Sequence, residues 1–148
     1  MKDILVAVDV DADVDWTATL PAAVRQAQAM DARLHVMTVM PDFGMSIVGQ
    51  FFPRGYEKDV ADRIMKRLHE RVAAVVPAGM AVQHIVAEGT VYESILKMAE
   101  RTRADLIVLG AHRPELSDYL LGPNAARVVR HARCSVLVVR ERDDDRSP

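Results

Sequence analysis

Two glycines frame the stretch of this chain whose residue types and spacing could do chemistry, GAHRPELSDYLLGPNAARVV at residues 110–129. Gly110 closes the apolar run DLIVLG, and Gly122 precedes residues with helical periodicity. A helix N-terminus carries unpaired backbone N–H groups and a partial positive charge, and glycine lets a backbone approach a ligand closely. The stretch therefore fits phosphate binding, with ordinary turn glycines between a strand and a helix as the alternative.

Polar side chains near these glycines could complete such a site. His112 and Arg113 could bring positive charge to a polyphosphate, and Asn124 offers a backbone N–H and a side-chain donor. Pro123 suits the first helical position, although it removes one N–H from this end of the helix. Asp9 ends the first apolar run, where it could contact a ligand or serve as a solvated strand-end acid or helix cap.

Strands and helices alternate along the chain and position these residues. Apolar runs predict strands at 3–10, 33–40, 80–89, 105–110 and 134–140, and apolar stripes predict helices at 19–30, 56–76, 90–102 and about 122–131. Thr90 and Glu93 have the spacing of a capping box. The pattern predicts an α/β fold with a single doubly wound parallel sheet and helices on both faces. Ligands bind such sheets beyond the carboxyl ends of the strands, the edge where Asp9 and Gly110 belong.

Composition and charge exclude several classes of protein. The 148 residues predict one domain at 1–141 with a frayed charged tail at 142–148. A formal charge of −2 offers no broad basic field for nucleic acid, and no apolar run approaches the roughly 20 residues of a membrane-spanning helix. With half of the residues hydrophobic, we expect a soluble cytoplasmic protein with no nucleic-acid or membrane partner.

Motifs of catalysis and metal binding are missing from the sequence. The segment VDVDADVDW after the first strand has no glycine, so it carries neither a dinucleotide-binding motif nor a P-loop. The five histidines lack metal-ligand spacing, and no serine has the context of a nucleophile elbow. The single cysteine, Cys134, is expected to be a buried inert thiol. We predict neither catalytic residues nor a metal site.

An apolar segment at 41–55, PDFGMSIVGQFFPRG, contains all three phenylalanines of the chain. Its glycines and prolines argue against a long regular element. It could pack over the edge of the sheet, form a subunit contact, or cover a ligand site as a lid.

The chain as a whole resembles the universal stress protein family. The resemblance rests on ILVAVD, RLHVMTV, DLIVLGAHR and LLGPNAARVVRHARCSVLVVR, which together span nearly the full length. It implies a five-stranded α/β fold with strand order 3-2-1-4-5 and a site for ATP, which could carry Mg²⁺, with ADP and AMP as alternatives. Nucleotide-binding members carry the pattern G-x-x-G-x(9)-G-S/T after the fourth strand. Here Arg113 replaces the second glycine, the following spacer is one residue shorter, and Pro123 replaces the serine or threonine.

The resemblance also implies roles for individual residues. Asp9 would lie by the ribose or the base, and the backbone around Val36 would meet the adenine edge, although Val36 could equally be a core residue. The other residues implied for the site line the base pocket, namely Ala7 and Val8, or follow the ribose and phosphates, namely Gly110, Gly122 and Asn124. His112 and Arg113 are added to the site for their charge, since Arg113 departs from the family pattern.

The function expected on these grounds is that of an ATP-binding regulatory or stress-response module without efficient turnover. A slow ATPase or autophosphorylating enzyme, and a nucleotide-free dimeric interaction protein, are the alternatives. We also expect a homodimer through the final strand, SVLVVR, because a valine-rich edge strand with unpaired backbone groups can pair with a second copy.

Overall fold

A five-stranded parallel sheet organises the computed structural model of the protein, which describes residues 2–40, 56–111 and 122–141. The strands are β1 (Asp3–Ala7), β2 (Arg33–Met40), β3 (Val82–Glu88), β4 (Leu106–Gly110) and β5 (Ser135–Val139). They lie in the order β3-β2-β1-β4-β5, with every neighbouring pair parallel. The strand order 3-2-1-4-5 is therefore confirmed.

Four α-helices connect the strands within the described residues. They are α1 (Leu20–Met30), α2 (Tyr56–Val75), α3 (Val91–Thr102) and α4 (Pro123–His131). Apart from the end of β1, the predicted bounds agree with these to within two residues. Thr90 does precede α3 in an extended conformation, but its side chain makes no capping hydrogen bond, so the predicted capping box is wrong in that detail.

Alternating residues of the strands bury opposite faces of the sheet. Ile4 and Val6 of β1 belong to a buried cluster that includes α1 and α2, whereas Leu5 belongs to a second cluster that includes α3 and α4. In register, Val6 lies between Val36 of β2 and Val108 of β4. A strand buried on both faces is apolar throughout, which is why the strands read as continuous apolar runs. The doubly wound α/β class with helices on both faces is confirmed.

The first strand ends three residues before its predicted end. The ladder of β1 stops at Ala7, although the Val8 N–H still donates to the Met37 carbonyl at 2.9 Å. The next N–H, that of Asp9, donates instead to a carboxylate oxygen of Asp15 at 2.8 Å, so the chain leaves the sheet. Val8 and Val10 are buried, so the apolar run of residues 3–10 extends beyond the last paired residue of β1.

A π-helical turn, Asp15–Thr19, leads directly into α1, and all of its residues except Thr19 were predicted to be loop. Trp16 in this turn is buried, and its Nε1 donates to the Val10 carbonyl at 3.0 Å. Pro21 falls in the first two positions of α1, where the missing N–H costs least. The π turn before it is a rare conformation that occurs mostly as a single turn joined to an α-helix, as it does here.

Two predicted segments lie outside the described residues, namely the apolar segment at 41–55 and the charged tail at 142–148. The division into a domain at 1–141 and a tail stays a prediction. Among the described helices, none combines the length and the apolar character needed to cross a membrane.

Candidate functional site

A cavity of about 600 Å³ opens at the carboxyl ends of the central strands. The ends of β1, β2 and β4 form its floor, and the first residues of α3 and α4 form part of its wall. Parallel strands bring their carboxyl ends to one edge of a sheet, and β1 and β4 lie where the chain order of the strands reverses. The cavity thus occupies the position in which doubly wound proteins bind ligands.

Most of the predicted site residues meet in this cavity. Those that line it are Ala7, Val8, Asp9, Gly110, Gly122 and Asn124. Val36 does not line it, because its side chain is fully buried in the cluster beneath α1 and α2. His112 and Arg113 lie outside the described residues.

The wall contributed by β2 comes from the residues that follow Val36. Met37, Thr38 and Val39 line the cavity, and the Thr38 side chain is buried. The family resemblance directed attention to Val36, whereas the parallel register places Met37 beside Ala7, the last residue of β1. Reading the strand to its carboxyl end could have identified these residues.

The start of α4 presents unpaired backbone donors to the cavity. Gly122 precedes the helix, is buried, and has an extended conformation with φ −64° and ψ 157°. The first intrahelical bond runs from the Ala126 N–H to the Gly122 carbonyl at 3.0 Å. The N–H groups of Asn124 and Ala125 come earlier and have no intrahelical acceptor, and both residues line the cavity. This is the arrangement that favours a bound phosphate.

The backbone conformation of Gly122 excludes one of the two usual reasons for a glycine at this position. Its φ of −64° is accessible to any residue, so no left-handed conformation is required. A side chain here would instead start at the buried entrance of α4, next to the cavity. A glycine at this position leaves space beside the cavity, which would permit close approach of a ligand.

A network of hydrogen bonds shapes the loop between β1 and the π-helical turn. The Asp9 carboxylate accepts the Asp11 N–H at 2.9 Å, and the Asp9 carbonyl accepts the Ala12 N–H at 3.0 Å. Asp9 itself is exposed at the cavity, so it both stabilises its own turn and faces the space where a ligand would lie.

Asp15 is a residue of the cavity that sequence reasoning missed. Its side chain is buried, and its two carboxylate oxygens accept the Asp9 N–H and the Thr19 hydroxyl, both at 2.8 Å. It therefore ties the cavity loop to the first helical turn behind it. Four aspartates alternate along VDVDADVDW, and nothing in that spacing marks Asp15 as the one that turns inward.

The described lining of the cavity carries negative side-chain charge. Asp9, Asp11 and Asp15 line it, and no lysine, arginine or histidine does so among the described residues. Across residues 2–40, 56–111 and 122–141, no group of three or more histidine, cysteine, aspartate or glutamate side chains is placed to hold a metal ion. Cys134 lies away from this cavity, and partial burial raises the pKa of its thiol, which is unfavourable for a nucleophile.

The protein is therefore a doubly wound α/β protein with a cavity at the topological switch point of its sheet, between β1 and β4. The universal stress protein family model matches residues 1–140. The chain belongs to the universal stress protein family.

Relatives of known name agree with this assignment. Universal stress protein G from Shigella flexneri is 32% identical over 123 residues, covering 80% of this chain and 87% of the relative. A crystal structure of a universal stress protein in complex with cAMP has a TM-score of 0.65 at 21% identity, covering 94% of this chain and 96% of the other. The universal stress protein from Archaeoglobus fulgidus in complex with dAMP has a TM-score of 0.61 at 18% identity, covering 94% and 98%. At these identities the two structures show a common fold.

Proposed function

We propose that this protein binds an adenine nucleotide, ATP foremost with ADP and AMP as alternatives, in the cavity at the carboxyl edge of the sheet. One observation carries the proposal. The fold brings Asp9, Gly110 and the N-terminus of α4 around a single space, although these residues are far apart in sequence. A volume of about 600 Å³ falls within the roughly 300–1,000 Å³ typical of small-molecule sites.

The residues present fit such a ligand. The free N–H groups at the start of α4 would donate hydrogen bonds to a phosphate, and Asp9 would lie by the ribose or base. The apolar side chains of Val8, Met37 and Val39 would offer surface to the base. The likeness of the fold to proteins in complex with cAMP and dAMP supports an adenine nucleotide as the class of ligand.

Magnesium would arrive with ATP. Proteins usually hold Mg²⁺ through nucleotide phosphates and one or two carboxylates, with water completing the shell. The exposed Asp9 carboxylate lies at the cavity, in keeping with such a partial site, whereas the Asp11 carboxylate is already paired with Arg67. When bound, the ion would neutralise phosphate charge next to these aspartates.

The proposed role is that of a cytoplasmic regulatory or stress-response protein that binds ATP without efficient turnover. Slow hydrolysis or autophosphorylation is the enzymatic alternative: release of labelled phosphate from ATP tests hydrolysis, and transfer of the label to the protein tests autophosphorylation. A rate well above that of the buffer, lost on substitution of a cavity residue, would favour the enzyme. The nucleotide-free alternative requires that no adenine nucleotide bind at all.

A homodimer through β5 belongs to the same proposal. β5 pairs with β4 on one side and lies at the edge of the sheet. The side chains from Val136 to Val139 are only partly buried. An apolar edge strand with unpaired backbone groups is stabilised by pairing with a second copy across a twofold axis.

Replacement of Gly122 tests the proposed site directly. Gly122→Val adds bulk at the buried entrance of α4 and should weaken ATP binding at least roughly tenfold, about 1.4 kcal/mol, because the ligand can no longer approach the backbone. Isothermal titration calorimetry with ATP, AMP and adenosine measures the effect. Ala126→Val adds similar bulk on the exposed side of the same helix and should leave affinity unchanged.

The same titrations can contradict the proposal. Unchanged affinity in Gly122→Val would remove Gly122 from the site. A folded wild-type protein that binds none of the three ligands would overturn adenine-nucleotide binding altogether.

A further inference from the structure

Two arginines of α2 reach the acidic loop that borders the cavity. Arg67 Nη1 donates to Asp11 Oδ1 at 2.8 Å, and Arg71 Nη2 lies 3.4 Å from Asp13 Oδ1. The arginines are four residues apart and so lie on one face of the helix, while the two aspartates are two residues apart in the loop. The cationic face of α2 thus follows the acidic loop over one helical turn.

Arg71 also anchors the helix to the buried part of the loop. Its guanidinium lies 5.0 Å from the centre of the Trp16 ring, within the range of a cation–π contact. The Trp16 ring is buried and bonded to the Val10 carbonyl, directly beside Asp11. This contact is a third link between α2 and the loop, beside the two ion pairs.

Asp11 is the residue through which Arg67 can act on a ligand. Asp11 lines the cavity, whereas Arg67 does not. An unneutralised carboxylate at this position would repel phosphates, and its two neighbours in the cavity lining, Asp9 and Asp15, add charge of the same sign. The ion pair with Arg67 sets the net charge at Asp11 close to zero.

We propose that Arg67 is a positioning residue that cancels the charge of Asp11 and so sets how strongly the cavity discriminates among ligands by phosphate charge. This inference rests on the proposed nucleotide site and names a determinant of its specificity. The Coulomb energy at about 10 Å in a high dielectric corresponds to roughly a twofold change in affinity per phosphate charge at low salt. Each added phosphate therefore increases the effect of losing Arg67.

A purely structural role for the pair would have a different signature. The side chains of Arg67 and Asp11 are 53% and 76% exposed, and exposed ion pairs contribute little to folding. Substitution should hardly change the thermal midpoint, while the affinity for charged ligands changes. Lost folding would affect adenosine and ATP alike.

The test compares Arg67→Gln, Asp11→Asn and the double variant with wild type. At low ionic strength and without Mg²⁺, Arg67→Gln should leave adenosine affinity unchanged and weaken AMP about fourfold and ATP about sixteenfold, because the two nucleotides carry about two and about four phosphate charges. Asp11→Asn alone should strengthen ATP binding. In the double variant, Asp11→Asn should abolish most of the loss of ATP affinity that Arg67→Gln causes alone. Lys66→Gln removes one charge from the same turn of α2 and should have a much smaller effect. Calorimetry in the presence of about 0.5 M salt should erase the differences.

A second measurement does not require a nucleotide. Paramagnetic relaxation of the Gly110 and Asn124 amide protons by an anionic and by a neutral co-solute reports the electrostatic potential in the cavity. Arg67→Gln should reduce the relaxation caused by the anionic co-solute, and Asp11→Asn should increase it.

The outcomes separate the inference from the proposed function. Equal losses for adenosine and ATP, or an unchanged potential in Arg67→Gln, would overturn the role of Arg67 even if wild type binds ATP. If the variants change the potential but the wild-type protein binds no adenine nucleotide, the proposed function is contradicted and the charge balance at Asp11 stands.

Discussion

Residues of one type have different environments in this protein. Asp15 is buried and accepts hydrogen bonds from the Asp9 N–H and the Thr19 hydroxyl, whereas Asp11 is exposed and paired with Arg67. Asp3, at the opposite end of β1, is also buried. The hydrogen bond from His35 and the ion pair with Arg33 lower its pKa and outweigh burial, which raises it. Position in the fold, not residue type, assigns each carboxylate its role.

The stacked imidazoles of His69 and His84 lead to a pH prediction at this scale. Their ring centres lie 3.6 Å apart. Burial lowers the pKa of His84 below its ordinary value of 6.5, and the neighbouring His69 lowers it further. Just below pH 6.5 the unfolded state therefore binds a proton more readily than the folded state, so the free energy of unfolding should fall as pH drops through this window.

Urea unfolding at a series of pH values measures this dependence. His84→Gln should flatten the slope below pH 6.5, whereas His131→Gln, which changes an exposed histidine on α4, should not. The stability that the Asp3 interactions contribute is lost in a separate pH window, below the ordinary aspartate pKa of 3.8. An unchanged slope in His84→Gln would exclude this residue as the cause.

At the scale of elements, the ends of strands and helices determine what the site contains. β1 stops at Ala7 because the Asp9 N–H donates to the Asp15 carboxylate instead of to a neighbouring strand. The loop that follows then faces the cavity. α4 begins with unpaired N–H groups because every α-helix leaves its first donors without intrahelical acceptors. The interiors of these strands and helices form the hydrophobic core, and their ends line the candidate ligand site.

β5 supports a prediction about assembly. Leu137→Pro or Val139→Pro removes a backbone donor from the edge strand and should shift a dimer toward monomer, because proline cannot complete a strand ladder. Sedimentation equilibrium of the folded variants gives the mass. A wild-type protein that remains monomeric at high concentration, or two proline variants that remain fully dimeric, would exclude this interface.

At the scale of the whole molecule, the cavity couples distant segments of the chain. Its walls come from both sides of β1, so a ligand that fills it would contact β2 and β4 and the starts of α3 and α4 together. Binding to such a composite surface requires the folded state. A ligand therefore stabilises the entire domain by mass action.

Thermal unfolding should report this coupling. ATP at a hundredfold excess over its dissociation constant should stabilise the protein by about 2.7 kcal/mol. For a chain of this length, that corresponds to a rise in Tm of roughly 5 to 10 °C. Ala126→Val should retain the rise, and Gly122→Val, with affinity at least roughly tenfold weaker, should lose about half of it or more at the same ATP concentration. A wild-type Tm that does not respond to ATP would contradict binding in this cavity.

The sequence by itself determined the class of fold, the position of nearly every element and most of the candidate site. These properties depend on local patterns: apolar runs such as DLIVL, the stripe of α2, and a glycine such as Gly122 before a helix. The prediction placed the end of β1 too late, because Val8 and Val10 are apolar and buried although they lie beyond the strand. It also missed the π-helical turn.

Only the tertiary structure decided which side chains share the cavity. It placed Thr38 rather than Val36 at the wall, turned Asp15 inward, and brought Arg67 to Asp11 across 56 residues of sequence. Strand register and helix packing fix these contacts, and both depend on neighbours that are distant along the chain. Local spacing carries no record of such neighbours, so four evenly spaced aspartates look alike until the fold gives each a different partner.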